Sequence, residues 1–187
     1  MKDGTMDLDS KDVIRLIQTH PTSVVTTVNE EGVSDAATFS FLSPVSFDPP
    51  MAAIMVSDER HTYDNLKATG EFVINVVTKH YLDDIMKVGK ISFSDDPNKL
   101  EDSEFTLEDS EEVEPSRIDE AVVWLECTVD EMHEAGDHYI VVGKILAAEV
   151  DEEFWKDGRF VPEEAETLHH IGGNKFLVGG NLVEWEE

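Results

Sequence analysis

Ala121-Val-Val-Trp-Leu-Glu-Cys-Thr-Val-Asp-Glu-Met-His133 and His138-Tyr-Ile-Val-Val-Gly-Lys-Ile-Leu-Ala-Ala-Glu-Val-Asp151 are two long alternating runs joined by Glu134-Ala-Gly-Asp137. Alternation over this length marks strands with one covered face, and a short glycine-containing connection makes them an antiparallel hairpin. Gly143, inside the second run, marks either a bulge or a close contact. A chain whose longest elements form one hairpin is built on antiparallel pairing.

The flanking segments agree. Glu71-Phe-Val-Ile-Asn-Val-Val77 is another strand, and Met51-Ala-Ala-Ile-Met-Val56 runs apolar without alternation, as expected of a strand covered on both faces. Ser23-Val-Val-Thr-Thr-Val-Asn29 is rich in β-branched residues, Asn29-Glu-Glu-Gly32 is a turn, and residues 33–42 resume with alternating small and large side chains. Asp48-Pro-Pro50 punctuates the chain. Three short helices are predicted: residues 10–19 with Val13, Ile14, Leu16 and Ile17 at helical spacing, residues 62–69 closed by Gly70, and residues 81–88 with Leu82, Ile85 and Met86 on one side. Six strands with hairpin connections exclude an alternating βαβ pattern. The expectation is a mostly-β single domain over residues 1–187, an antiparallel barrel decorated by a few short helices. Residues 95–120 hold twelve acidic residues against two basic ones and read as an acidic surface excursion.

The whole chain carries 42 Asp and Glu against 14 Lys and Arg, a formal charge of −28 over 187 residues. So anionic a surface disfavours nucleic acid and anionic membrane as partners. Nine Phe and three Trp separate it from disordered acidic chains, and the composition reads as adaptation to a salty cytoplasm, where counterions screen the repulsion. Residues 1–10 carry three aspartates and no apolar run, so a soluble cytoplasmic protein is expected. A single cysteine excludes disulfides within the chain, and Cys127 lies in an apolar strand as an inert small hydrophobe.

Several catalytic signatures are absent: Gly-x-Ser-x-Gly, the P-loop, His-Glu-x-x-His and Gly-x-Gly-x-x-Gly after a strand. His169-His170 lacks further ligands in a metal-binding pattern, so no metal is expected. The stretch that invites chemistry is Ser57-Asp-Glu-Arg-His-Thr62, between a buried strand and a helix start. Two hydroxyls, one of only four arginines and the positive end of a helix suit a phosphate monoester. A helix cap at Thr62, with Arg60 paired to one of many acids, accounts for the same residues. Residues 36–41, Ala-Ala-Thr-Phe-Ser-Phe, add small side chains on which a flat ligand could lie and hydroxyls for its rim, or simply a barrel strand of mixed size.

Together, Val24-Val-Thr-Thr-Val-Asn-Glu-Glu-Gly32, Ala37-Thr-Phe-Ser-Phe41, Val45-Ser-Phe-Asp-Pro-Pro50, Arg60-His-Thr-Tyr-Asp-Asn65, Gly70-Glu-Phe-Val-Ile-Asn75, Leu125-Glu-Cys127 and Gly136-Asp-His-Tyr-Ile-Val-Val-Gly143 resemble the flavin reductase-like, FMN-binding split-barrel family. The resemblance covers roughly residues 20–178, and Asn98-Lys-Leu100 is similar to a further short family motif. It implies a six-stranded Greek-key split barrel that forms a homodimer, with FMN near the subunit boundary. On that resemblance Thr38, Phe39 and Ser40 approach the isoalloxazine and ribityl groups, Ser57, Arg60 and Thr62 the phosphate, and His61 and Asn65 lie close by. His138 matches a family position at the site, where a structural hairpin histidine is the alternative, and Gly172-Gly173 is similar to a tail motif that reaches the neighbouring subunit's flavin.

The resemblance further implies that the cofactor carries the chemistry, with no catalytic side chain required, which accounts for the missing motifs. The leading expectation is an NAD(P)H-dependent flavin reductase, with NADH or NADPH as electron donor. The alternative is a flavoredoxin-like FMN electron carrier that serves a redox protein partner and does not use nicotinamide directly.

Overall fold

The computed structural model describes Gly4, residues 6–17 and residues 19–185. The elements that place the site are β1 (Ser23–Val28), β2 (Ser34–Phe39), β3 (Leu42–Phe47), β4 (Pro50–Val56), α1 (His61–Thr69), β5 (Glu71–Val77), α2 (Leu82–Lys90), β6 (Ala121–Ala135), β7 (His138–Val150), β8 (Leu168–Gly172) and β9 (Lys175–Val178). Seven strands form one antiparallel sheet in the order β2-β1-β5-β6-β7-β4-β3. Among the described residues no helix is long and apolar enough to cross a membrane.

The edges of this sheet determine its shape. β2 and β3 lie at opposite edges, yet only Ser40 and Phe41 separate them in the chain. A flat sheet would hold its outer strands about 29 Å apart, six spacings of about 4.8 Å, whereas the three steps from Phe39 to Leu42 reach at most about 11 Å. The sheet therefore curls until its edges meet. No ladder joins β2 to β3 among the described residues, so the barrel stays split along that seam. This is the expected split barrel, with a seventh strand because residues 33–42 break at Ser40-Phe41 and β3 pairs separately with β4.

Neighbouring residues of β1 enter different cores. Val25 joins Phe39, Ile54, Phe72, Ile74 and Val141 inside the barrel, while Val24 joins Val77, Ile85, Val88, Phe105, Ile118 and Leu168 beneath α2. A strand covered on both faces is buried throughout, as β1 is. Gly143 proves to be both a bulge and a close contact. The β6–β7 register shifts there, and a Cβ on it would stand 2.6 Å from Cζ of Phe72. Gly70 closes α1 with φ of +72°.

Two expectations need correction. The first helix is shorter than residues 10–19: it is α-helical over Ser10–Val13 and 3-10 over Ile14–Leu16, and Gln18 lies outside the described residues. Val13, Ile14, Leu16 and Ile17 are all exposed, so no apolar surface among the described residues supports a longer helix. Residues 95–120 are also more than a surface excursion. Lys99, Phe105 and Ile118 are buried, and Leu107–Glu108 pairs with Arg117–Ile118. A buried carboxylate anchors the far side of the segment: Glu126 accepts from the backbone N–H of Glu111 (3.0 Å) and Glu112 (2.6 Å) and from Nε of Arg117 (2.6 Å).

Candidate functional site

A cleft of about 600 Å³ opens where the sheet fails to close. Thr38, Phe39, Ser40 and Phe41 line it at the seam, and Ser57, Arg60, His61 and Thr62 line it at the turn from β4 into α1. Val88 and Gly89 of α2 border it with Ile91, Ser92 and Phe93, and Asp137, His138 and His170 complete its rim. Eight of the nine residues expected at the site thus share one cleft: Thr38, Phe39, Ser40, Ser57, Arg60, His61, Thr62 and His138. Asn65 does not. Its side-chain amide donates to Oγ1 of Thr27 at 3.0 Å in a buried contact that braces α1 against β1.

The α1 corner is the polar end. A helix start leaves its first backbone N–H groups without partners in the helix, so the N–H groups of His61 and Thr62 are free of helical bonds. Thr62 is buried and Arg60, immediately before the helix, is exposed. Among the described residues the other three arginines each pair with a carboxylate: Arg15 with Asp12, Arg117 with Glu126 and Glu149, Arg159 with Glu163. Arg60 has no such partner among the described residues, although acidic residues outnumber basic ones three to one and Asp58 and Glu59 adjoin it. Of the two readings of this corner, the paired-arginine alternative finds no carboxylate partner among the described residues.

Aromatic rings form the flat walls. His61 stacks on Phe93 with centroids 4.5 Å apart and planes 4° from parallel, and its Nε2 is buried with no hydrogen-bond partner. Such an atom is the group that a ligand's polar rim would satisfy. Phe41 lies between the rings of His20 (5.4 Å) and His138 (5.8 Å). Nδ1 of His138 is 2.8 Å from Asp137, and that bond holds the Asp137 carboxyl below its usual range. Thr38 is committed elsewhere, donating from Oγ1 to the Ile85 carbonyl at 2.5 Å. Gly89 packs so closely on it that a Cβ there would lie 2.8 Å from Thr38 Cβ. The Thr38 hydroxyl proton is therefore committed to Ile85 and is not available to donate into the cleft.

Cys127 lies in the barrel core, where burial pushes its thiol up to about 12, so it is no nucleophile at neutral pH. His170 borders the cleft, its Nε2 3.0 Å from the Gly173 carbonyl oxygen. The expectation that Gly172-Gly173 reaches a neighbouring subunit is a matter for the assembly. Within one chain this turn stands beside Arg15.

Sequence reasoning did not select Asp35, Gly89, residues 91–93, Lys99 or His170, which also line the cleft. A glycine inside a helix was the one local signal for Gly89. Lys99 carries two signals in the sequence, its place in Asn98-Lys-Leu100 and its being one of two bases in an acidic run, and neither places it at the cleft.

The flavin reductase like domain matches residues 17–164. The flavin reductase of Pseudomonas putida is 33% identical over 138 residues, covering 72% of this chain and 76% of that protein. Nitrilotriacetate monooxygenase component B from Bacillus cereus superposes with a TM-score of 0.85 at 22% identity, over 98% of this chain and 100% of that one. Flavoredoxin from Methanosarcina acetivorans does so with a TM-score of 0.85 at 20% identity, over 97% and 94%. At those identities the two structures speak to the fold alone. With the domain matched over most of its length and the split barrel shared, the chain belongs to the flavin reductase-like family of split-barrel flavoproteins.

Proposed function

We propose that the seam cleft binds one FMN per chain and that the protein is an NAD(P)H-dependent flavin reductase. The observation that carries this reading is the α1 corner: an arginine without a carboxylate partner among the described residues, beside free helix N–H groups, in a protein short of positive charge. The cleft volume suits a ligand of that size, and the partnerless Nε2 of His61 asks for a polar group in the cleft.

On this reading Ser57, Arg60 and Thr62 hold the phosphate, and the positive end of α1 favours its charge. The backbone of Thr38, Phe39 and Ser40 lines the place for the ring system, and His61 with Phe93 limits it on one side. The chemistry that FMN supplies when bound is acceptance of a hydride at N5 from the reduced nicotinamide. The chain's own part is to bind, orient and partly shield. Phe41 and His138, whose rings are in contact, border the cleft and offer a place where a second flat ring can stack.

The working unit we propose is a twofold homodimer. Val13, Ile14, Leu16, Ile17, Leu177 and Val178 are exposed apolar side chains that a monomer would leave in water.

Anaerobic addition of NADH or NADPH to flavin-loaded protein tests the reaction. Bleaching of the flavin absorbance within minutes, with turnover sustained by added free FMN, is expected. A flavin that responds to dithionite and ignores both nicotinamides refutes the reductase and favours electron carriage for a redox partner.

A further inference from the structure

Lysine is among the residues rarely found inside a protein, yet Lys99 is 2% exposed. Its Nζ lies 2.7 Å from Oδ1 of Asp35, itself buried, and donates to the carbonyls of Ile91 (3.1 Å) and Val88 (3.5 Å). Asp35 belongs to β2, Val88 to the last turn of α2, and Ile91 follows that helix. One ammonium thus ties the seam strand to the carbonyl end of α2, where orphan carbonyls and the helix dipole favour a cation.

A buried ion pair is a poor source of net stability, because desolvating both charges offsets most of their attraction. A pair of apolar side chains would fill the space as well. What the pair provides that apolar residues do not is one fixed arrangement of three segments, and all three border the cleft. Two residues beyond Ile91, the Phe93 ring lies flat on His61, the first residue of α1 and a neighbour of Arg60. Where Lys99 holds Ile91 therefore decides where the Phe93 wall stands against the phosphate corner.

We propose that Lys99, through its pair with Asp35, is a positioning residue that holds the Ile91–Phe93 wall against His61 and so governs how long a flavin stays in the cleft. The retention role rests on the reading of the cleft as an FMN site; the clamp itself does not. Lys99 also lines the cleft, but its ammonium is committed to Asp35 and to the Ile91 and Val88 carbonyls, so its loss acts on dissociation through the wall.

The test has one arm without flavin and one with it. In flavin-free protein, Lys99→Met should speed amide hydrogen exchange at residues 91–93 about tenfold and leave the β6 amides unchanged. Unchanged exchange at 91–93 overturns the clamp, whether or not flavin binds. In loaded protein, Lys99→Met and Phe93→Ala should each speed FMN release about tenfold, and the double variant should be no faster than the faster single one, because both act through one wall. Additive effects, or release at the wild-type rate, overturn the retention role. Should Lys99→Met not fold, Asp35→Asn removes the partner's charge at nearly constant size and is read in the same two ways. Wild-type protein that binds no FMN sinks the flavin reading and the retention role with it, while the exchange arm still decides the clamp.

Discussion

Replacing Arg60 by Ala separates recognition of a phosphate from recognition of a flavin ring. The side chain is exposed, has no carboxylate partner among the described residues and contributes nothing to either core, so folding stability should change by no more than about 0.5 kcal/mol. Its loss to FMN is a charge-assisted hydrogen bond, about 1.5 to 3 kcal/mol in general. Exposure places Arg60 at the low end of that range, since water and salt screen it. The Ser57 and Thr62 hydroxyls and the α1 N–H groups stay, so binding weakens without vanishing. About 1.5 kcal/mol corresponds to roughly a tenfold rise in the FMN dissociation constant. Riboflavin lacks the phosphate and should bind wild type and variant alike. Quenching of flavin fluorescence, titrated with both ligands at one ionic strength, provides the comparison. Equal losses for FMN and riboflavin would show that Arg60 does not address a phosphate, and the assignment of the α1 corner would fall with it.

Three other perturbations test the scaffold and the charge. Gly143→Ala drives a methyl against the buried Phe72 ring, with Cβ of Cys127 3.3 Å away, so it should destabilise by about 1 to 3 kcal/mol; an unchanged thermal midpoint would contradict this packing. Glu126→Gln should cost about 3 kcal/mol by leaving Arg117 half-paired and the Glu111–Glu112 turn weakly held. Burial alone would push the Glu126 carboxyl up, but the N–H groups of Glu111 and Glu112 together with Arg117 outweigh it and hold it below its usual range. The carboxylate's contribution is therefore present above its unfolded value of about 4.3 and lost as pH falls through the lower folded value, so the gap between wild type and variant should close in acid and stay open at neutrality. The melting temperature should rise with KCl from low to molar concentration, because screening relieves repulsion at a net charge of −28; indifference to salt would remove the salt-adaptation reading.

Those features whose signal is local were legible in the sequence. Alternation in residues 121–133 and 138–151, the Asn29–Gly32 turn and Gly70 each announce themselves within a few residues, and each stands where expected. The α1 corner was legible for the same reason, since strand end, arginine and helix start are contiguous. The break in residues 33–42 was not, because the alternation runs on through Ser40-Phe41 while the backbone moves from one sheet edge to the other. Asn65 was misplaced because a polar side chain in the first turns of a helix can face either a ligand or a neighbouring strand, and only the tertiary contact with Thr27 distinguishes them. Lys99 was hidden for a stronger reason. In a run dominated by acids a lysine reads as part of a solvated face, and its burial depends on Asp35, 64 positions away in the chain.

The position of the site follows from the way the barrel is left open. An edge strand presents backbone N–H and C=O groups without ladder partners, and buried groups of that kind must find others. Closing β2 onto β3 would have satisfied them and left no room for a ligand. Instead Ser40-Phe41 carries the chain across the gap, α2 packs on β2 through the Gly89–Thr38 contact, and α1 begins after β4 with its first residues, His61 and Thr62, lining the same opening. Strand-edge groups therefore line one side of the cleft and helix-end groups another, while aromatic rings from residues 41, 61 and 93 supply the faces. A flat molecule with a polar rim and an anionic tail satisfies all three at once. A spherical or wholly apolar ligand would leave the edge and helix N–H groups unmet at a cost of about 1 to 3 kcal/mol for each buried group. Such ligands should bind weakly to this cleft, and FMN should outcompete them by the combined strength of its rim and its phosphate.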